Sequence, residues 1–445
     1  MERKDITSIL RREVAPALGC TGPTAYALAM ARCRPYMTAE PRLIRVYLSP
    51  TFLKIGFGVA TPGTPEPGIA MAAAIGLFGG DYTLGLEVLN TATHDDIEAA
   101  RNLLRENRVK VMCDWSKTGI YVRGEVETSN ETISAVVAGM YDSIISVSVN
   151  GKEVFHADRD ERNHDLDIRA LTPEEIFAYV RSINPDEIGF LKKAIEMNKT
   201  LALDGLKNKY GLNIGRTLLA ESFAGTPPAD LYDNPLKYLP DDLALRSKIL
   251  VTAGSDARMG GSELPAMTIM GDGNQGITAT LPVALAGEKY GVSEETVIRS
   301  LAMSYLIAFY IKANIGRTAA ICHCVASASA GVAASIAFMR GGSDDRIKAA
   351  VKNVLAPLAG LLCDGAKRGC ALKMGLAVTE AISAAVFALN GVEVGFYDGV
   401  ADETLEYTLK NVSVLAQQSQ SVLETGMANI ALEKEARYNM AICAE

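Results

Sequence analysis

Two cysteine pairs in the second half of the chain are spaced so that they could hold a metal or a cluster. One pair is Cys322-His323-Cys324, and the other is Cys363 with Cys370, seven residues apart in LLCDGAKRGCALK. Thiolates are the usual ligands of structural zinc and of iron–sulfur clusters, and three or four cysteines are the usual complement. The glycines between Cys363 and Cys370 indicate a loop between two helices, which can aim two sulfurs at one point. Spacing alone leaves zinc and iron–sulfur open.

The remaining cysteines divide into isolated ones and one with a distinctive setting. A buried cysteine is often only a small apolar core residue, and we favour that interpretation for Cys33, Cys113 and Cys443. Cys20, in EVAPALGCTGPTAYALAMA, comes just before an apolar run that predicts a helix. The positive end of a helix dipole lowers the pKa of a thiol and favours the thiolate. Cys20 is therefore a candidate nucleophile, base or ligand, with an ordinary turn cysteine as an equal alternative.

A glycine-rich segment supplies a third candidate site. In GDGNQGITATLP, glycines including Gly276 surround Asn274 and Gln275 directly before a predicted helix. Glycines permit close approach of the backbone, and the N–H groups of a helix start bind carboxylates or phosphates. Upstream, Arg258 could clamp a substrate carboxylate or pair with Asp256. No GK[ST] follows and no strand pattern precedes the glycines, which argues against a nucleotide motif. A structural turn is the alternative.

The first 160 residues mix helix and strand patterns. Leu43–Ser49 and Ile120–Val126 alternate apolar and polar residues, as half-buried strands do. Ile145, Val147 and Val149 lead into Asn150-Gly151, a hairpin signal, with KEVFHA as the return strand. We therefore predict an α+β domain with a mostly antiparallel sheet over residues 1–165, carrying Cys20. The polar segment 158–167 reads as a linker.

Beyond the linker the sequence is helical. Thr172-Pro173-Glu174-Glu175 is a capping box with proline at the first helical position, and Asn184-Pro185-Asp186-Glu187 repeats the device. Apolar residues recur at helical spacing over 347–358 and 405–416. We predict one large all-helical domain over residues 170–445, with the two cysteine pairs and the glycine-rich segment inside it.

Composition excludes several classes of partner. The chain has 44 Lys+Arg against 52 Asp+Glu and a net charge of −8, so neither a nucleic acid nor an anionic membrane is expected as partner. The charged start MERKDITSILRREV lacks the apolar region of a secretory signal. The uncharged run 318–339 consists mainly of Ala, Ser, Cys and Gly, which favours a tightly packed buried helix over a membrane span. A cytoplasmic location is expected.

Taken together, the motifs resemble the serine dehydratase alpha-chain-like family, and within it the L-cysteine desulfidases and their uncharacterised relatives. The motifs that carry the resemblance occur in the family's order: ALGCTGPTA, SDARMGG, GDGNQGITATLP, the CHC pair after NIGR, and LLCDGAKRGCALK. The resemblance implies an enzyme with a four-iron four-sulfur cluster and no pyridoxal phosphate. It eliminates the β-substituent of a small amino acid, most simply converting L-cysteine to pyruvate, ammonia and sulfide.

The same resemblance implies roles for individual residues. Cys363 and Cys370 take cluster positions, with Cys322 or Cys324 as the third ligand, and Cys20 takes the position of the proton acceptor. Thr21, Arg258, Asn274, Gln275 and Gly276 are the candidates for substrate contact. Gly22 stands where the family commonly has glutamate, and Ile55 and Phe57 also depart from its pattern.

Alternative functions stay open from the sequence. One is an L-serine dehydratase-like deaminase, and another is a non-catalytic relative that binds a small anion or a metal. A nucleotide-dependent enzyme is disfavoured by the missing lysine. The expected partner is a small amino acid, and a homodimer is left open.

Overall fold

The computed structural model describes residues 3–64, 66–157 and 167–442. Their contacts divide them into two compact units, which are described separately. Unit 1 comprises the described parts of residues 1–16, 164–363 and 368–418, and unit 2 those of residues 17–163, 364–367 and 419–445. Each unit is therefore assembled from three segments that are separated in the sequence.

Unit 2 is built on a six-stranded sheet with strand order β3-β2-β4-β5-β6-β7. Only the β2–β3 pair is parallel, and the four other pairs are antiparallel, which confirms the predicted sheet. Its strands are β2 Leu43–Leu48, β3 Val109–Cys113, β4 Tyr121–Glu127, β5 Thr132–Ala138, β6 Ile144–Val149 and β7 Lys152–His156. Its helices are α2 Thr21–Cys33, α3 Pro50–Gly56, α4 Ile69–Gly79 and α5 His94–Arg105.

The pattern of alternation decides which sheet face is buried. In β4, Val122 and Val126 are fully buried between half-buried neighbours, and α2 packs on β4 and β5. At the predicted hairpin, Asn150 and Gly151 have φ of 50° and 78°, the positive values that a two-residue turn of this kind requires. The strands and the turn confirm the interpretation of these segments.

Unit 1 is mainly helical. Its helices are α1 Arg3–Glu13, α6 Pro173–Ser182, α7 Lys192–Lys207, α8 Ile214–Glu221, α9 Leu243–Met259, α10 Gly273–Tyr290, α11 Glu294–Ile315, α12 Ser329–Met339, α13 Asp344–Leu358 and α14 Cys370–Leu389. The two strands β1 Val14–Leu18 and β8 Pro265–Ile269 form a small sheet. A 38-residue helix, α15 Leu405–Ile442, begins in unit 1 and ends in unit 2. Because 59% of the chain is helical and the mixed sheet precedes the helices, the α+β class is confirmed.

Capping confirms one predicted helix start and modifies another. Thr172 and Glu175 form the capping box of α6. Asn184 instead accepts from the Asp186 N–H and opens a 3₁₀ helix over Pro185–Leu191, which runs into α7.

Small residues let the helices of unit 1 approach closely. A Cβ added to Gly331 of α12 would lie 2.2 Å from the Ser304 carbonyl oxygen of α11. The uncharged run 318–339 is accordingly buried, although only part of it is α12, which a π-helical turn over Cys324–Ala328 precedes. By length and composition α11 and α14 could cross a membrane, but core helices pass the same test, and the apolar window of α11 is 78% buried.

The predicted domains 1–165 and 170–445 stay a prediction, and the compact units differ from them in their segments. Residues 1–16 belong to unit 1, whereas residues 364–367 and the described part of 419–445 belong to unit 2. The linker predicted over 158–167 lies outside the described residues except for Asp167.

Candidate functional site

Two short extended segments of unit 1 bring the cysteine pairs together. Ile321 and Leu362 form an antiparallel bridge, Cys322 N–H donates to the Leu361 oxygen (2.9 Å), and Cys363 N–H donates to the Ala320 oxygen (2.7 Å). On an antiparallel ladder, Cys322 and Cys363 then lie diagonally on the same face. The predicted loop between two helices is confirmed, since α13 ends at Leu358 and α14 begins at Cys370.

The thiols interact directly. The Cys322 thiol is hydrogen-bonded with those of Cys324 and Cys363, and the charge of Cys370 acts on both Cys322 and Cys324. The hydrogen bond with Cys324 holds the pKa of Cys322 well above its usual range. The bond with Cys322 lowers the pKa of Cys324, but burial and the neighbouring negative groups outweigh it and raise the pKa to about 11. Ionising one thiol therefore makes ionising the next costlier, and positive charge would relieve this.

His323 is committed to other partners. Its Nε2 lies 2.7 Å from the Gly316 carbonyl oxygen and must donate, while Nδ1 lies 2.9 Å from the Ser327 hydroxyl. Among the residues that the structure describes, no group of three or more His, Cys, Asp and Glu side chains is arranged to hold a metal ion. Both ring nitrogens of His323 are therefore engaged, and a metal or cluster bound by the cysteines stays a prediction.

A buried polar group surrounds the start of α10 in the same unit. Asp272 caps the helix, with Oδ1 accepting from the N–H groups of Asn274 (3.0 Å) and Gln275 (3.3 Å). Burial alone would raise the pKa of Asp272, but the cations Lys312 and Arg258 and a hydrogen bond from Gln275 lower it below its usual value. Asp272 is therefore a carboxylate at neutral pH.

Lys312 connects this polar group with the cysteines. It is 1% exposed, its Nζ lies 3.4 Å from the Met270 oxygen, and its charge interacts with Asp272 and Cys324. Burial lowers the pKa of Lys312 to about 8. The cysteine pairs and the glycine-rich segment, far apart in sequence, thus meet in one region of unit 1.

The predicted substrate residues of this region are all buried. Arg258, Asn274 and Gln275 are 2%, 3% and 1% exposed. A Cβ on Gly276 would lie 1.9 Å from the Met267 oxygen of β8, which supports a packing role for this glycine. The expectation that no strand precedes the glycines is wrong. Residues Pro265–Ile269 (PAMTI) form β8, and its last four residues are all buried, so no alternation marks it.

Cys20 belongs to unit 2, where it is the residue before α2 and is 5% exposed. Its carbonyl oxygen accepts from the Thr24 N–H (3.1 Å) and hydroxyl (3.0 Å). Burial, followed by the charge of Cys20, raises the pKa of Tyr26 well above its usual value. The predicted position at a helix start is confirmed, whereas its role stays a prediction. The side chain of Thr21 lies outside what the structure describes.

Other cysteines and charged residues take structural positions. The Cys33 thiol is fully buried and donates to the Ala29 oxygen, and burial raises its pKa to about 12. Cys113 is half-buried, and Cys443 lies outside the described residues. Asp256 accepts from backbone N–H groups at the start of α8. No ion pair between Asp256 and Arg258 occurs in the described part of the chain.

Sequence reasoning did not identify Lys312 and Asp272 as parts of the site. A single lysine inside the apolar run of α11 was the available signal for Lys312. Asp272 reads as an ordinary helix cap, and only the fold shows that two cations face it.

This arrangement defines a class: an α+β protein whose helical unit holds two buried and two half-buried cysteines near a polar helix start. The chain matches the family model of the serine dehydratase alpha chain over residues 83–429, and it belongs to that family. Similar relatives are UPF0597 proteins of Desulforapulum autotrophicum (35% identical, covering 96% of this chain and 97% of the relative) and Caldanaerobacter subterraneus (34%, covering 97% and 100%). A third, from Chromobacterium violaceum, is 33% identical and covers 97% of each chain.

Proposed function

We propose that this protein is an iron–sulfur lyase that eliminates the β-substituent of a small amino acid, with L-cysteine as the favoured substrate. The observation that carries the proposal is the meeting of four cysteines with a buried polar helix start through Lys312 and Asp272. Membership of the serine dehydratase alpha-chain family supports it. The family's name makes L-serine the alternative substrate.

The cluster ligands in this proposal are Cys363, Cys370 and one of Cys322 and Cys324. Because four cysteines are available for three ligand positions, one thiol does not bind the cluster. Cys322 and Cys324 are only two residues apart, so we expect them to be alternatives for the third position. A [4Fe–4S] cluster with one open iron would supply a Lewis acid for the leaving group. Pyridoxal phosphate has no part in the proposal.

The protein's own groups would perform the remaining steps. A base takes the α-proton, the Cβ–S bond breaks, and water converts the aminoacrylate to pyruvate and ammonia, while the sulfur leaves as sulfide. We assign the base to Cys20, which a helix start favours as thiolate. Substrate contacts are assigned to Arg258, Asn274 and Gln275, with Thr21 and Gly276 as the further candidates. A cytoplasmic location and a homodimer complete the proposal.

The decisive experiment is analysis of anaerobically purified protein. We expect about four iron and four acid-labile sulfide per chain, broad absorbance near ~400 nm, and sulfide with equimolar pyruvate from L-cysteine. L-serine is assayed in parallel, and faster pyruvate release from serine would favour the dehydratase. A fully loaded protein that releases pyruvate from neither amino acid would contradict the lyase, and one zinc per chain without iron would favour the non-catalytic relative.

A cysteine series tests the ligand assignment. Replacing Cys363 or Cys370 by serine should abolish iron retention and activity, because a hydroxyl is a poor substitute for a thiolate ligand. Cys113→Ser is the matched control, since Cys113 is also half-buried but stands apart in unit 2. Iron retention equal in all three variants would refute the assignment. Comparison of Cys322→Ser with Cys324→Ser then identifies the third ligand.

A further inference from the structure

Three buried side chains, two in the first turn of α10 and one at the end of α9, leave hydrogen-bonding atoms without partners. Arg258 has Nε and Nη2 unpartnered, Asn274 has Oδ1, and Gln275 has Oε1. Each residue is at most 3% exposed. A buried polar atom without a partner costs free energy, and the cost is greater for a charged group. Several such atoms around one helix start point to a ligand that would satisfy them.

The guanidinium group of Arg258 lies against the first turn of α10, which carries Asn274 and Gln275. An ideal Cβ on Gly273 would lie 2.4 Å from Arg258 Nε, so the guanidinium group rests on the first residue of α10. Asn274 and Gln275 follow directly in the same turn. Any side chain at position 273 would displace the guanidinium group, and glycine allows this close approach.

The orientation of Gln275 is fixed by Asp272. Its Nε2 donates to Asp272 Oδ2 (2.7 Å), so Oε1 points elsewhere and remains an acceptor. The other oxygen of Asp272 already accepts the first backbone N–H groups of the helix. The helix start therefore offers few backbone donors to an anion, and the side-chain donors near Asp272 are those of Arg258 and Lys312.

The unpartnered atoms thus include both donors, on Arg258, and acceptors, on Asn274 and Gln275. A simple anion and an amino acid differ in how well they match this combination. A sulfate ion has only acceptors and a hydrogen phosphate ion at most two hydroxyl donors, so neither offers a positively charged donor to the two amide oxygens beside the Asp272 carboxylate. An α-amino acid carries a carboxylate and an ammonium group on one carbon and matches both sets. Nε and Nη2 lie on one edge of the guanidinium plane and can donate to both oxygens of a carboxylate.

We propose that this turn binds the zwitterion of an α-amino acid, with its carboxylate on Arg258 Nε and Nη2 and its ammonium group on Asn274 Oδ1 and Gln275 Oε1. The proposal rests on the proposed function for the substrate class and deepens it by assigning each charge. It leaves the β-substituent without a contact in this turn, so selection between cysteine and serine must occur elsewhere.

The test measures binding without turnover. L-alanine carries both charged groups and has no leaving group, so its binding to the anaerobic, cluster-loaded protein can be titrated calorimetrically. We expect alanine to bind and L-alaninamide and N-acetyl-L-alanine to bind about tenfold to a hundredfold more weakly, because each lacks one charge-assisted contact. Equal binding of alanine and alaninamide would overturn the proposal, as would binding of sulfate as tight as that of alanine.

Substitutions test which residues bind the carboxylate and which bind the ammonium group of the ligand. Arg258→Gln should weaken alanine binding at least tenfold and abolish the preference for alanine over alaninamide, whereas Asn274→Leu should abolish the preference over N-acetyl-L-alanine. Arg258→Lys keeps the positive charge but loses the paired N–H groups that bind both carboxylate oxygens. This variant covers the case in which Arg258→Gln does not fold. Arg299→Gln is the control, since Arg299 donates to backbone carbonyls of Val180 and Arg181. Unchanged alanine binding in folded Arg258→Gln and Arg258→Lys would refute the assignment.

The outcomes separate this inference from the proposed function. Selective alanine binding in a protein that eliminates neither cysteine nor serine would support the zwitterion site and contradict the lyase. Elimination of either amino acid with unaltered ligand selectivity in the Arg258 variants would support the lyase and refute the zwitterion site.

Discussion

At the scale of single residues, burial makes polar groups depend on particular partners. Asp256 is 1% exposed and accepts from the N–H groups of Leu212 (3.0 Å), Ile214 (2.6 Å) and Gly215 (3.3 Å). These bonds satisfy donors at the start of α8, which otherwise have no partner within the helix. Burial outweighs them and raises the pKa of Asp256 to about 6.

A pH dependence of stability follows from Asp256. Because its pKa rises from 3.8 in the unfolded chain to about 6, the folded protein binds more protons between these values. Its contribution to the free energy of unfolding is therefore largest below pH 3.8 and falls as the pH rises to about 6, by up to about 3 kcal/mol. Urea unfolding of the wild type and of Asp256→Asn at a series of pH values measures this. A constant difference across the window would contradict the shift.

Two residues after Cys20, the Cγ2 methyl group of Ile55 limits which side chains position 22 can accommodate. A Cβ on Gly22 would lie 2.5 Å from Ile55 Cγ2 and 3.3 Å from the Tyr26 hydroxyl oxygen. The Tyr26 hydroxyl is held in place because it donates to the Phe52 oxygen (2.5 Å). The absence of a side chain at Gly22 and the position of the Ile55 side chain are thus matched to each other.

A double-mutant cycle tests this match. Gly22→Ala should lower the free energy of unfolding by about 1–3 kcal/mol through overpacking, and Ile55→Ala should relieve most of that loss when the two are combined. Gly139→Ala is unsuitable as a control because φ is positive there, whereas Gly189→Ala adds a Cβ in open space at an ordinary φ. Additive effects of Gly22→Ala and Ile55→Ala would contradict direct contact.

At the scale of elements, α3 and the C-terminal part of α15 are joined by buried polar groups within unit 2. Lys54 Nζ lies 3.6 Å from Glu424 Oε1, and the two side chains are 3% and 8% exposed. The Thr51 hydroxyl donates to the other oxygen of Glu424 (2.5 Å). A charge pair that water barely reaches is costly to break, because the remaining charge stays buried.

Glu424→Gln should therefore lower the free energy of unfolding by about 3–5 kcal/mol, since it leaves the Lys54 ammonium group without a countercharge. Replacing both residues, as Lys54→Met with Glu424→Leu, should recover much of the loss. Asp241→Asn, which breaks the exposed pair with Lys289, serves as control and should change stability by less than about 1 kcal/mol. Equal effects of Glu424→Gln and Asp241→Asn would show that the buried pair contributes little.

The elements that sequence predicts well are those whose signals are local. The Asn150-Gly151 turn and the Thr172 capping box depend on neighbouring residues and are confirmed. β8 was missed because a strand of five residues with its last four buried carries no alternation. Cysteine spacing suggested the ligand pairs, but the bridge between Ile321 and Leu362 that joins them is a tertiary contact. The surroundings of Lys312 are likewise set by packing.

At the scale of the whole molecule, the chain passes between its two compact units more often than a division into two successive domains allows. Residues 364–367 pack in unit 2, although Cys363 before them and Arg368 after them belong to unit 1. Lys367 Nζ donates to the oxygens of Lys54 (2.8 Å) and Ala366 (3.2 Å), so this cation fixes the segment. Composition and periodicity could not reveal this, since four residues carry no domain signature.

Gly365 makes this segment sensitive to one substitution. Its φ is +88°, and an added Cβ would lie 2.2 Å from the Lys54 oxygen. Gly365→Ala should therefore combine strain of about 1 kcal/mol with a backbone clash that forces the segment away from α3. Because Cys363 and Cys370 flank the segment, we expect their thiols in metal-free protein to react several-fold faster with a disulfide reagent.

Gly369→Ala is the matched control for this prediction, since it lies in the same loop with φ of −66° and open space around its Cβ. Its thiol reactivity and unfolding midpoint should stay close to those of the wild type. Cys363→Ser and Cys370→Ser backgrounds show which thiol accounts for any acceleration. Two outcomes would contradict this prediction: a faster reaction in Gly369→Ala, or an unchanged rate in Gly365→Ala. Either would show that the packing of residues 364–367 in unit 2 does not position the cysteines. If acceleration is specific to Gly365→Ala, packing of residues 364–367 in unit 2 sets the reactivity of the two cysteines that flank them in the sequence.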